Sequence, residues 1–452
     1  MRLVQALRVN RGDVISFVGA GGKTSALFRL ARELAAEGWR VVGTTTTRVA
    51  AAEVQDAPAA LTVSDPIDFD AVREALDAHG FVFIYDQLRR DKALGLDSAL
   101  LRQFVDRVNS DVLLIEADGS RRLPLKAPYA HEPVITTETT RVVVVAGMDI
   151  IGQPLDDEHV YNPEAMMRRY GYPAGGEIVW PWVASVLRDE QLGLRHVDPA
   201  VPVTILLNKT EREDVVMRRR ARLIAGLLLR SSRIDSVAIG AMQDAEDPVF
   251  EMRCPVGAVV LAAGLSSRMG RSKVLLPWGQ QTVLEAILRR LFMARLEDIV
   301  IVTGHEAASV EALAARLEVR TAHNPAYRSG EMLSSLQTGL QALQDRVQAC
   351  LVVLGDQPQL QGRVIAEVLA AYAVGQGDIV APSYRRRRGH PILIDRRYWH
   401  ELLALPAGQS PRDVINAHAD EIAYVNVPND SILADIDTPE QYQDALRRAG
   451  LA

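Results

Sequence analysis

The chain has 452 residues, of which 48% are hydrophobic and 24% charged, as in globular proteins and unlike membrane-embedded or disordered chains. Its formal net charge of −6 offers no basis for nucleic-acid binding, and no apolar run reaches the roughly 18 residues of a membrane span. With two cysteines and no signal-peptide segment at the N-terminus, we expect a cytoplasmic protein without a disulfide framework, zinc cluster or membrane partner.

In the first half of the chain, short β-branched runs alternate with amphipathic stretches, which predicts a parallel sheet covered by helices on both faces. The predicted strands are Val14–Val18, Val41–Thr45, Phe81–Tyr85, Val112–Glu116, Val142–Ala146, Val203–Leu207 and Val237–Ile239. Six prolines interrupt the pattern between residues 153 and 202, and we interpret this segment as an insertion or a lid. An acidic, proline-containing stretch at 241–255 then marks a domain boundary, which predicts domains at 1–250 and 255–452.

The alternation begins again in the second half, so the whole chain is predicted to form two doubly wound, mainly parallel-sheet α/β domains. The predicted strands here are Ala258–Ala262, Ile299–Val302, Cys350–Leu354, Ile379–Ala381 and Ile422–Val425.

A glycine-rich loop follows the first strand and leads into the helical sequence SALFRLARELAAEG. Its residues are Gly19, Ala20, Gly21, Gly22, Lys23 and Thr24. This is a short form of the Walker A motif, since Phe17 stands where the full form has its first glycine. We expect backbone amides to hold a phosphate, Lys23 to neutralise it and Thr24 to reach Mg²⁺, in a P-loop-like domain that binds ATP or GTP. A purely structural glycine turn is the alternative.

Further polar residues follow other strands of the first domain. Glu116 and Asp118 end the strand in DVLLIEADGS, where a Walker B carboxylate would meet the metal, although a turn at Asp118 would also explain the sequence. The residues 208–211, NKTE, are similar to the guanine-reading N-K-x-D motif, but Glu211 breaks the pattern and GTP specificity does not follow. The threonines at 44–47 suit either phosphate or metal contact or simply a strand.

The sequence AVVLAAGLSSRMGRSKVLL at 258–276 predicts a buried strand, a tight turn of small residues and then two cations. Backbone amides around Leu261, Ala262, Ala263 and Gly264 can cradle phosphate oxygens. Arg268 adds a planar fork and Lys273 a compact charge, a combination suited to a triphosphate. A strand-to-helix loop with surface cations is the alternative.

Three acids are candidates for a magnesium site in the second domain. Asp356 follows the strand Cys350–Leu354, where a carboxylate can hold Mg²⁺ against triphosphate oxygens. Asp435 and Asp437 lie on one side of an extended backbone and can complete the site. Because Thr438 and Pro439 are typical of a helix start, capping by Asp437 is the alternative.

The motifs of the first domain resemble those of the YqeC family, which is associated with selenium-dependent molybdenum hydroxylases. The similarity lies in GAGGKT, the TTTT run and EADGSRRLPLKAP followed by HEPVI, and covers most of residues 1–245. It implies nucleotide binding and a role in the maturation of molybdenum enzymes, with an apo molybdenum hydroxylase as a candidate partner. Within this stretch, Arg121, Arg122, Lys126 and His131 form a polar group suited to an anionic ligand, with an exposed loop histidine as the alternative for His131.

The second domain resembles the MocA-like nucleotidyltransferases, relatives of MobA, over residues 256–446. The similarity lies in LAAGLSSRMGRSKVLLPWG, LGDQP, RRGHPILI and DIDTP. It implies a Rossmann-like domain that transfers CMP from CTP to molybdopterin carrying molybdenum and releases pyrophosphate. Ala262 to Gly264 would contact the nucleotide, Arg268 and Lys273 would stabilise the phosphates, and Asp356 would hold Mg²⁺.

Other residues and functions stay open at this point. Ser334, Ser335 and His390 are candidate ligand contacts, with helix capping and a packed turn as their alternatives. The run Arg385–Arg388 indicates a solvated loop or an anion contact. The first domain would also suit a nucleotide-driven chaperone that inserts cofactor into an apo-hydroxylase, and the second a sugar-nucleotide pyrophosphorylase. KVLLPWG and RGHP favour the MocA-like activity.

Overall fold

The computed structural model describes residues 1–63, 68–266, 269–296, 298–329 and 331–451. The chain divides into two compact units, Met1–Arg253 and Cys254–Ala452. Each unit combines α-helices with one large sheet in which parallel pairing dominates. Among the described residues, no helix is both long and apolar enough to cross a bilayer.

The first unit contains short strands and eight α-helices within the described ranges. Its strands are β1 (Val14–Gly19), β2 (Val41–Thr45), β3 (Arg48–Ala50), β4 (Ala60–Thr62), β5 (Phe81–Tyr85), β6 (Leu88–Arg89), β7 (Lys92–Leu94), β8 (Val112–Glu116), β9 (Leu125–Lys126), β10 (Arg141–Gly147), β11 (Val160–Tyr161), β12 (Val203–Asn208), β13 (Ser236–Gly240) and β14 (Val249–Arg253). Its helices are α1 (Leu3–Leu7), α2 (Lys23–Ala36), α3 (Ala51–Val54), α4 (Phe69–His79), α5 (Ser98–Arg107), α6 (Pro163–Tyr170), α7 (Trp180–Leu187) and α8 (Val215–Leu228).

In the described part of this unit, nine strands form one sheet in the order β14-β13-β12-β10-β1-β8-β2-β5-β4. All neighbours run parallel except β13 and β14. The seven predicted strands are observed with bounds that differ by at most one residue at either end. The strand β14 was not predicted, because a buried acid, Glu251, interrupts its apolar pattern and is held by Arg222 at 2.7 Å.

Helices cover both faces of this sheet, because alternate side chains of the central strand enter different cores. Val14 and Val18 pack with residues of α4, α5 and α8, whereas Ile15 and Phe17 pack with α1 and α2. Ile15 and Phe17 are fully buried, which stabilises the fold by about 1.5–3 kcal/mol for each side chain.

The proline-rich segment 153–202 carries α6 and α7. Its apolar residues Met166, Val183 and Leu187 join the same core as Val14 and Val18. Of the two interpretations, an insertion or a lid, this packing favours an insertion that is part of the core of the unit.

The second unit has the following elements within the described ranges. Its strands are β15 (Val256–Leu261), β16 (Pro277–Trp278), β17 (Gln281–Thr282), β18 (Ile299–Thr303), β19 (Arg320–His323), β20 (Ala349–Leu354), β21 (Ile379–Tyr384), β22 (Arg387–Arg388), β23 (Ile392–Asp395) and β24 (Ile422–Asn426). Its helices are α9 (Val283–Met293), α10 (Ala307–Arg316), α11 (Glu331–Ala342), α12 (Gly362–Ala373), α13 (Trp399–Ala404), α14 (Pro411–Ala417) and α15 (Pro439–Ala449).

The large sheet of this unit has the order β19-β18-β15-β20-β23-β21-β22, and β24 pairs with β21. The strands β19, β18, β15 and β20 are parallel, while β23 runs antiparallel to both of its neighbours. Ala258 and Val260 of β15 pack with α9 and α12 on one face, and Val259 packs with α11 and α13 on the other. In each unit the glycine-rich loop leaves the carboxyl end of a central strand, β1 or β15, the usual place for ligands in open α/β sheets.

Candidate functional site

In the second unit, a cavity of about 450 Å³ lies where β15 and β20 end. Its lining includes nine of the predicted site residues: Leu261, Ala262, Ala263, Gly264, Lys273, Ser335, Asp356, Asp435 and Asp437. Leu265, Ser266, Tyr327 and Met332 also line it. The predicted phosphate ligand Arg268 falls outside the described residues.

The small-residue loop of this cavity is held by backbone contacts at both ends. The amide of Ala262 donates to the carbonyl of Val302 at 3.0 Å, which continues the sheet into the loop. At the other end, the amide of Lys273 donates to the Ser266 hydroxyl at 3.1 Å. A Cβ added at Gly264 would meet no atom within 4 Å, so the backbone there borders open space. A phosphate group can therefore approach the loop closely.

Lys273 is paired with acids from two distant parts of the chain. Its Nζ lies 3.4 Å from Asp356 Oδ2 and also contacts Asp437. The amide of Ile436 donates to the Asp356 carbonyl at 3.2 Å, so the C-terminal segment is tied to the end of β20. Gln357 Nε2 donates to Asp435 Oδ1 at 2.6 Å and orients that carboxylate. The fold thus brings together the lysine and all three predicted metal ligands.

The start of α15 decides between the two interpretations of Asp437. Thr438 occupies the capping position, since its hydroxyl accepts a hydrogen bond from the amide of Gln441 at 3.3 Å. The side chain of Asp437 contacts Lys273. Capping by Asp437 is therefore wrong, because the adjacent threonine already performs it.

The electrostatic environment of Asp356 favours the binding of a cation. Burial and, to a lesser degree, the nearby Asp435 raise the pKa of Asp356, Lys273 only partly opposes them, and the resulting pKa is about 6. Among the described residues, no three acid, imidazole or thiol side chains form a ready-made metal site. Carboxylate oxygens suit Mg²⁺, which keeps few protein ligands and takes the rest from phosphate and water. The residues present therefore fit a magnesium ion that enters with a triphosphate.

Ser334 and Ser335 lie inside α11, so they do not cap it. The buried Asn324 donates from Nδ2 to both hydroxyls, at 2.8 and 3.0 Å. This contact fixes the helix beside the cavity, which Ser335 lines and Ser334 does not. Tyr327 was not predicted, because no motif marks it and only the packing of this segment brings it to the cavity.

His390 is half-buried and does not line the described cavity. Burial, together with the nearby Arg412 and Arg388, lowers its pKa to about 4, so the imidazole is neutral at physiological pH. Its backbone amide donates to the Ile432 carbonyl at 3.2 Å, as expected for a packed turn. Arg388 contacts Asn416 at 3.1 Å, and the preceding arginines of the run are exposed, in agreement with a solvated loop.

In the first unit, Lys23 lies at the centre of a buried polar cluster and is only 2% exposed. Its Nζ donates to the Gly19 carbonyl at 2.8 Å and to Ser120 Oγ at 3.2 Å. It also lies 3.2 Å from Asp118 Oδ1 and 3.7 Å from Glu116 Oε1. Burial alone would lower the pKa of Lys23, but the two carboxylates outweigh it and raise this pKa.

The two acids make further contacts with the loop. Thr24 Oγ1 donates to Glu116 Oε2 at 2.8 Å, and the amide of Gly19 donates to Asp118 Oδ2 at 3.1 Å. Burial raises the pKa of Glu116, although Lys23 and Thr24 oppose this effect. Asp118 also lies 3.2 Å from Lys126 Nζ, so a simple turn does not account for it. A threonine hydroxyl beside a carboxylate is a suitable pair for Mg²⁺.

The cluster around Lys23 is closely packed. A Cβ added at Gly21 would lie 2.1 Å from the amide nitrogen of Gly147, and one at Gly22 would lie 2.3 Å from Asn208 Nδ2. The adjoining cavity, beside Asp118, measures about 10 Å³, room for about one water molecule. A phosphate can reach Lys23 only when side chains of this cluster separate.

Asn208 and the threonines serve the fold of this unit. Asn208 Nδ2 donates to the Gly21 carbonyl at 2.8 Å, and Asn208 Oδ1 accepts from the Met242 amide at 2.9 Å. The hydroxyls of Thr44 and Thr45 donate to backbone carbonyls at 2.7 and 2.9 Å. Asn208 is therefore occupied in bracing the loop, and the similarity of NKTE to a guanine-reading motif has no counterpart in these contacts.

The parallel sheet, the phosphate-facing loop and the lysine among carboxylates define the second unit as a nucleotidyltransferase, an enzyme class that the comparisons support. Residues 258–422 match the MobA-like NTP transferase domain family, and residues 15–164 match the YqeC protein family. The first unit thus carries a YqeC domain and the second a MobA-like NTP transferase domain. Both resemblances found in the sequence are confirmed.

Three curated relatives are similar to parts of the chain. The molybdenum cofactor cytidylyltransferase of Escherichia coli (strain K12) is 29% identical over 196 residues, 43% of this chain and 96% of that protein. The uncharacterized protein YqeC of the same organism is 38% identical over 162 residues, 34% of this chain but only 58% of that protein. The nicotine blue oxidoreductase of Paenarthrobacter nicotinovorans is 30% identical over 198 residues, 42% of this chain and 96% of that protein.

A first prediction concerns the stability of the second unit. The fold holds the pKa of Asp356 above its ordinary value of 3.8, so the ionised carboxylate destabilises the folded state once the pH exceeds that value. Without divalent cations, Asp356→Asn should therefore raise the midpoint of thermal unfolding above about pH 6, and the gain should vanish near pH 4.

The exposed Asp420 provides a matched control, and Asp420→Asn should leave the midpoint unchanged at both pH values. Calorimetric scans across this pH range would measure the effect. A lower midpoint for Asp356→Asn at neutral pH would show that its pairing with Lys273 outweighs its burial.

A second prediction concerns Asn208. Because Asn208→Ala leaves the Gly21 carbonyl and the Met242 amide without their partner, it should destabilise the first unit by about 1–3 kcal/mol. Urea denaturation, with hydrogen exchange over β1 and α2 to assign the transition, would measure the loss. Lys209→Ala, which removes only a surface ion pair with Asp149, should cost less than about 1 kcal/mol. Equal stability of the two variants would contradict the bracing role.

Proposed function

We propose that the second unit is a molybdenum cofactor cytidylyltransferase, which transfers CMP from CTP to molybdopterin carrying molybdenum and releases pyrophosphate. The observation that carries the proposal is the cavity in which Lys273 and the acids Asp356, Asp435 and Asp437 face a phosphate-accommodating loop. The similarity to a relative of that name, over 96% of its length, supports the choice of nucleotide and acceptor. We expect the reaction to take place in the cytoplasm.

The charges of the free site suit the binding of a triphosphate. Lys273 is held by Asp356 and Asp437, and its flexible side chain can turn from them to the phosphates. This exchange keeps the lysine paired throughout, so no buried cation is left uncompensated. Backbone amides of Ala263 and Gly264 are proposed to hold the phosphate chain beside it, whereas the predicted contact from the Ala262 amide is given up because that amide is bonded to the Val302 carbonyl. The predicted role of Arg268 as a second phosphate cation is retained.

The proposed reaction is a direct displacement at the α-phosphorus of CTP. An oxygen of the terminal phosphate of molybdopterin forms the new bond, while the bond from the α-phosphorus to the bridging oxygen breaks and pyrophosphate leaves. Lys273 stabilises the charge that develops on this leaving group. Asp356, with Asp435 and Asp437, would hold Mg²⁺, which supplies further positive charge to the triphosphate. No covalent enzyme intermediate is required.

The acceptor must be established by assay, because similar domains carry different activities. The relative that is 30% identical is named as an oxidoreductase, so similarity over a whole domain does not identify the reaction. A sugar-nucleotide pyrophosphorylase would use the same loop and metal. In the proposed enzyme, Ser335 faces the ligand from α11, whereas His390 serves as a packed residue beside the acceptor region.

For the first unit, we propose a P-loop-like domain over about residues 1–250 that binds ATP or GTP and assists the maturation of a molybdenum hydroxylase. Lys23 would take the phosphate, while Thr24 with Glu116 or Asp118 would hold Mg²⁺. Nucleotide-driven insertion of cofactor into the apo-hydroxylase is the form of assistance that a fusion favours, because tethering raises the local concentration of the product.

A third prediction tests the transferase site. Lys273→Ala should reduce pyrophosphate release from CTP and molybdenum-loaded molybdopterin by about 100- to 1000-fold, because the developing charge loses its main described partner. Lys92→Ala, which changes an exposed lysine on β7, is the matched control and should retain full activity. The measurement is pyrophosphate release in the presence of Mg²⁺, with CTP, GTP and ATP compared.

The same assay can also give results that contradict the proposed reaction. Transfer to a sugar phosphate alone would identify a pyrophosphorylase and would contradict the proposed acceptor. A preference for GTP would retain the enzyme class but overturn the assignment of CTP. Activity that survives Lys273→Ala would remove this cavity as the site of the reaction.

A fourth prediction separates the two units. Because Lys23 lies in the buried cluster of the first unit, Lys23→Met should abolish ATP or GTP binding there while cytidylyl transfer continues at the wild-type rate. Methionine preserves much of the apolar volume, and circular dichroism would verify folding. Equilibrium binding with labelled ATP and GTP, in parallel with the transfer assay, measures both effects. Loss of transfer in the same variant would contradict independent sites.

A further inference from the structure

A group of aromatic side chains lies beside the lysine cluster of the first unit, and no proposed function uses it. Tyr129 and His131 are nearly parallel, with 5° between the ring planes and 6.1 Å between the ring centroids. Tyr161 meets Tyr129 edge to face at 5.5 Å. We call Tyr129, His131 and Tyr161 the stacking platform.

One ring of the platform is half-buried, and the other two are exposed. Tyr161 is half-buried, with Lys126 Nζ 4.5 Å from its ring centroid and its hydroxyl 3.4 Å from Glu132 Oε1. Tyr129, by contrast, is 44% exposed, and His131 is also exposed. An aromatic ring left in water forfeits the free energy of burial, and its flat face is well suited to stack on another planar group.

Hydrogen bonds hold in place the backbone that carries the exposed rings. The amide of Tyr129 donates to Glu132 Oε2 at 3.3 Å, and the amide of Glu132 returns a bond to the Tyr129 carbonyl at 3.0 Å. Two residues further on, the amide of Val134 donates to the Ala117 carbonyl at 2.9 Å, directly after β8. The platform is therefore fixed to the strand end that carries the acids of the phosphate cluster.

Buried charges connect the platform to the phosphate loop. Asp118 lies 3.2 Å from both Lys23 Nζ and Lys126 Nζ, and Lys126 lies 3.1 Å from Glu132. Lys126 is 3% exposed, and the role of Lys23 as a phosphate ligand does not account for it. Its ammonium group is a second cation, which lies between Asp118 and the ring of Tyr161. The groups proposed to bind phosphate and the groups suited to a planar ring are therefore adjacent.

Arg121 adds positive charge at the surface of the platform. It is exposed, and its guanidinium carbon lies 5.5 Å from the Tyr161 ring centroid. Arginine at an aromatic face commonly stacks on planar heterocycles and also contacts their phosphates. Aromatic and cationic groups together select a ligand that is both planar and anionic.

We infer that the stacking platform binds the ring of a phosphorylated planar heterocycle whose phosphates reach Lys23. This inference rests on the proposed phosphate site of the first unit and names the part of that site that recognises the ring. A nucleobase and a pterin share this chemistry, and both can carry a triphosphate. The ring stacks on Tyr129 and His131, and Tyr161 supports Tyr129 from behind.

The test compares ligands that share the phosphate chain and differ in the ring. The full chain with Lys273→Ala is titrated by calorimetry in Mg²⁺ with ATP, GTP, dihydroneopterin triphosphate and inorganic tripolyphosphate, so that the cavity of the second unit contributes little. At least one ring-bearing ligand should bind more tightly than tripolyphosphate. Tyr129→Ala should weaken that ligand about 10-fold and leave tripolyphosphate unchanged, because base stacking contributes about 1–3 kcal/mol.

Two further variants serve as controls. Tyr129→Phe retains the ring and should retain the affinity, whereas Tyr424→Ala removes another exposed tyrosine, in the second unit, and should have no effect. The ring-bearing ligand with the highest affinity identifies the heterocycle, and either a nucleobase or a pterin supports the inference.

Contrary results fall into two distinct patterns. If tripolyphosphate binds as tightly as every ring-bearing ligand, or if Tyr129→Ala weakens all four equally, the platform does not recognise a ring, while the phosphate site stands. If Lys23→Met changes the affinity of none of the four, the phosphate site is absent, and the proposed function of this unit is wrong together with the platform.

Discussion

Both candidate sites depend on one constraint, the parallel pairing between a central strand and a neighbouring strand that has acidic residues at or just after its carboxyl end. In the first unit β1 pairs with β8, with Phe17 opposite Glu116, and in the second β15 pairs with β20, with Leu261 opposite Leu354. Since parallel strands end at the same edge, each glycine-rich loop emerges beside carboxylates that are distant in the sequence. The lysine of each loop then meets those carboxylates without any special connection between the segments.

The two units differ in how exposed the loop lysine is and in how large the adjoining cavity is. In the second unit the Lys273 side chain is 16% exposed and borders a cavity of about 450 Å³, large enough for a nucleotide. In the first unit the Lys23 side chain is 2% exposed, and the adjoining cavity measures about 10 Å³. The cavity of the second unit therefore has room for a substrate. The cluster around Lys23 in the first unit gains room for a phosphate only when its ion pairs separate. Ligand binding in the first unit must therefore be accompanied by local rearrangement.

The sequence predicts elements well where one physical pattern dominates. All twelve strands predicted from apolar β-branched runs are observed, whereas β4, β14, β19, β22 and β23 of the two large sheets were not predicted. In β14 the buried acid Glu251 interrupts the apolar pattern. Residue types and strand ends were enough to bring Lys273, Asp356 and Asp437 into one site. The partial motif at Asn208 did not support a prediction of GTP binding, because Glu211 breaks it, and the motif could not reveal that both ends of the Asn208 amide are hydrogen-bonded within the fold. Tyr327 lines the cavity through packing alone, which no local pattern encodes.

The close packing of Gly21 and Gly22 has a consequence for how this family evolves. A side chain at either position would collide with Gly147 or Asn208 in the folded unit. Selection for a folded domain therefore preserves these glycines even in a lineage that has lost its ligand. The glycine signature records ancestry and foldability, and drift at the exposed rings of Tyr129 and His131 would be the earlier trace of lost function.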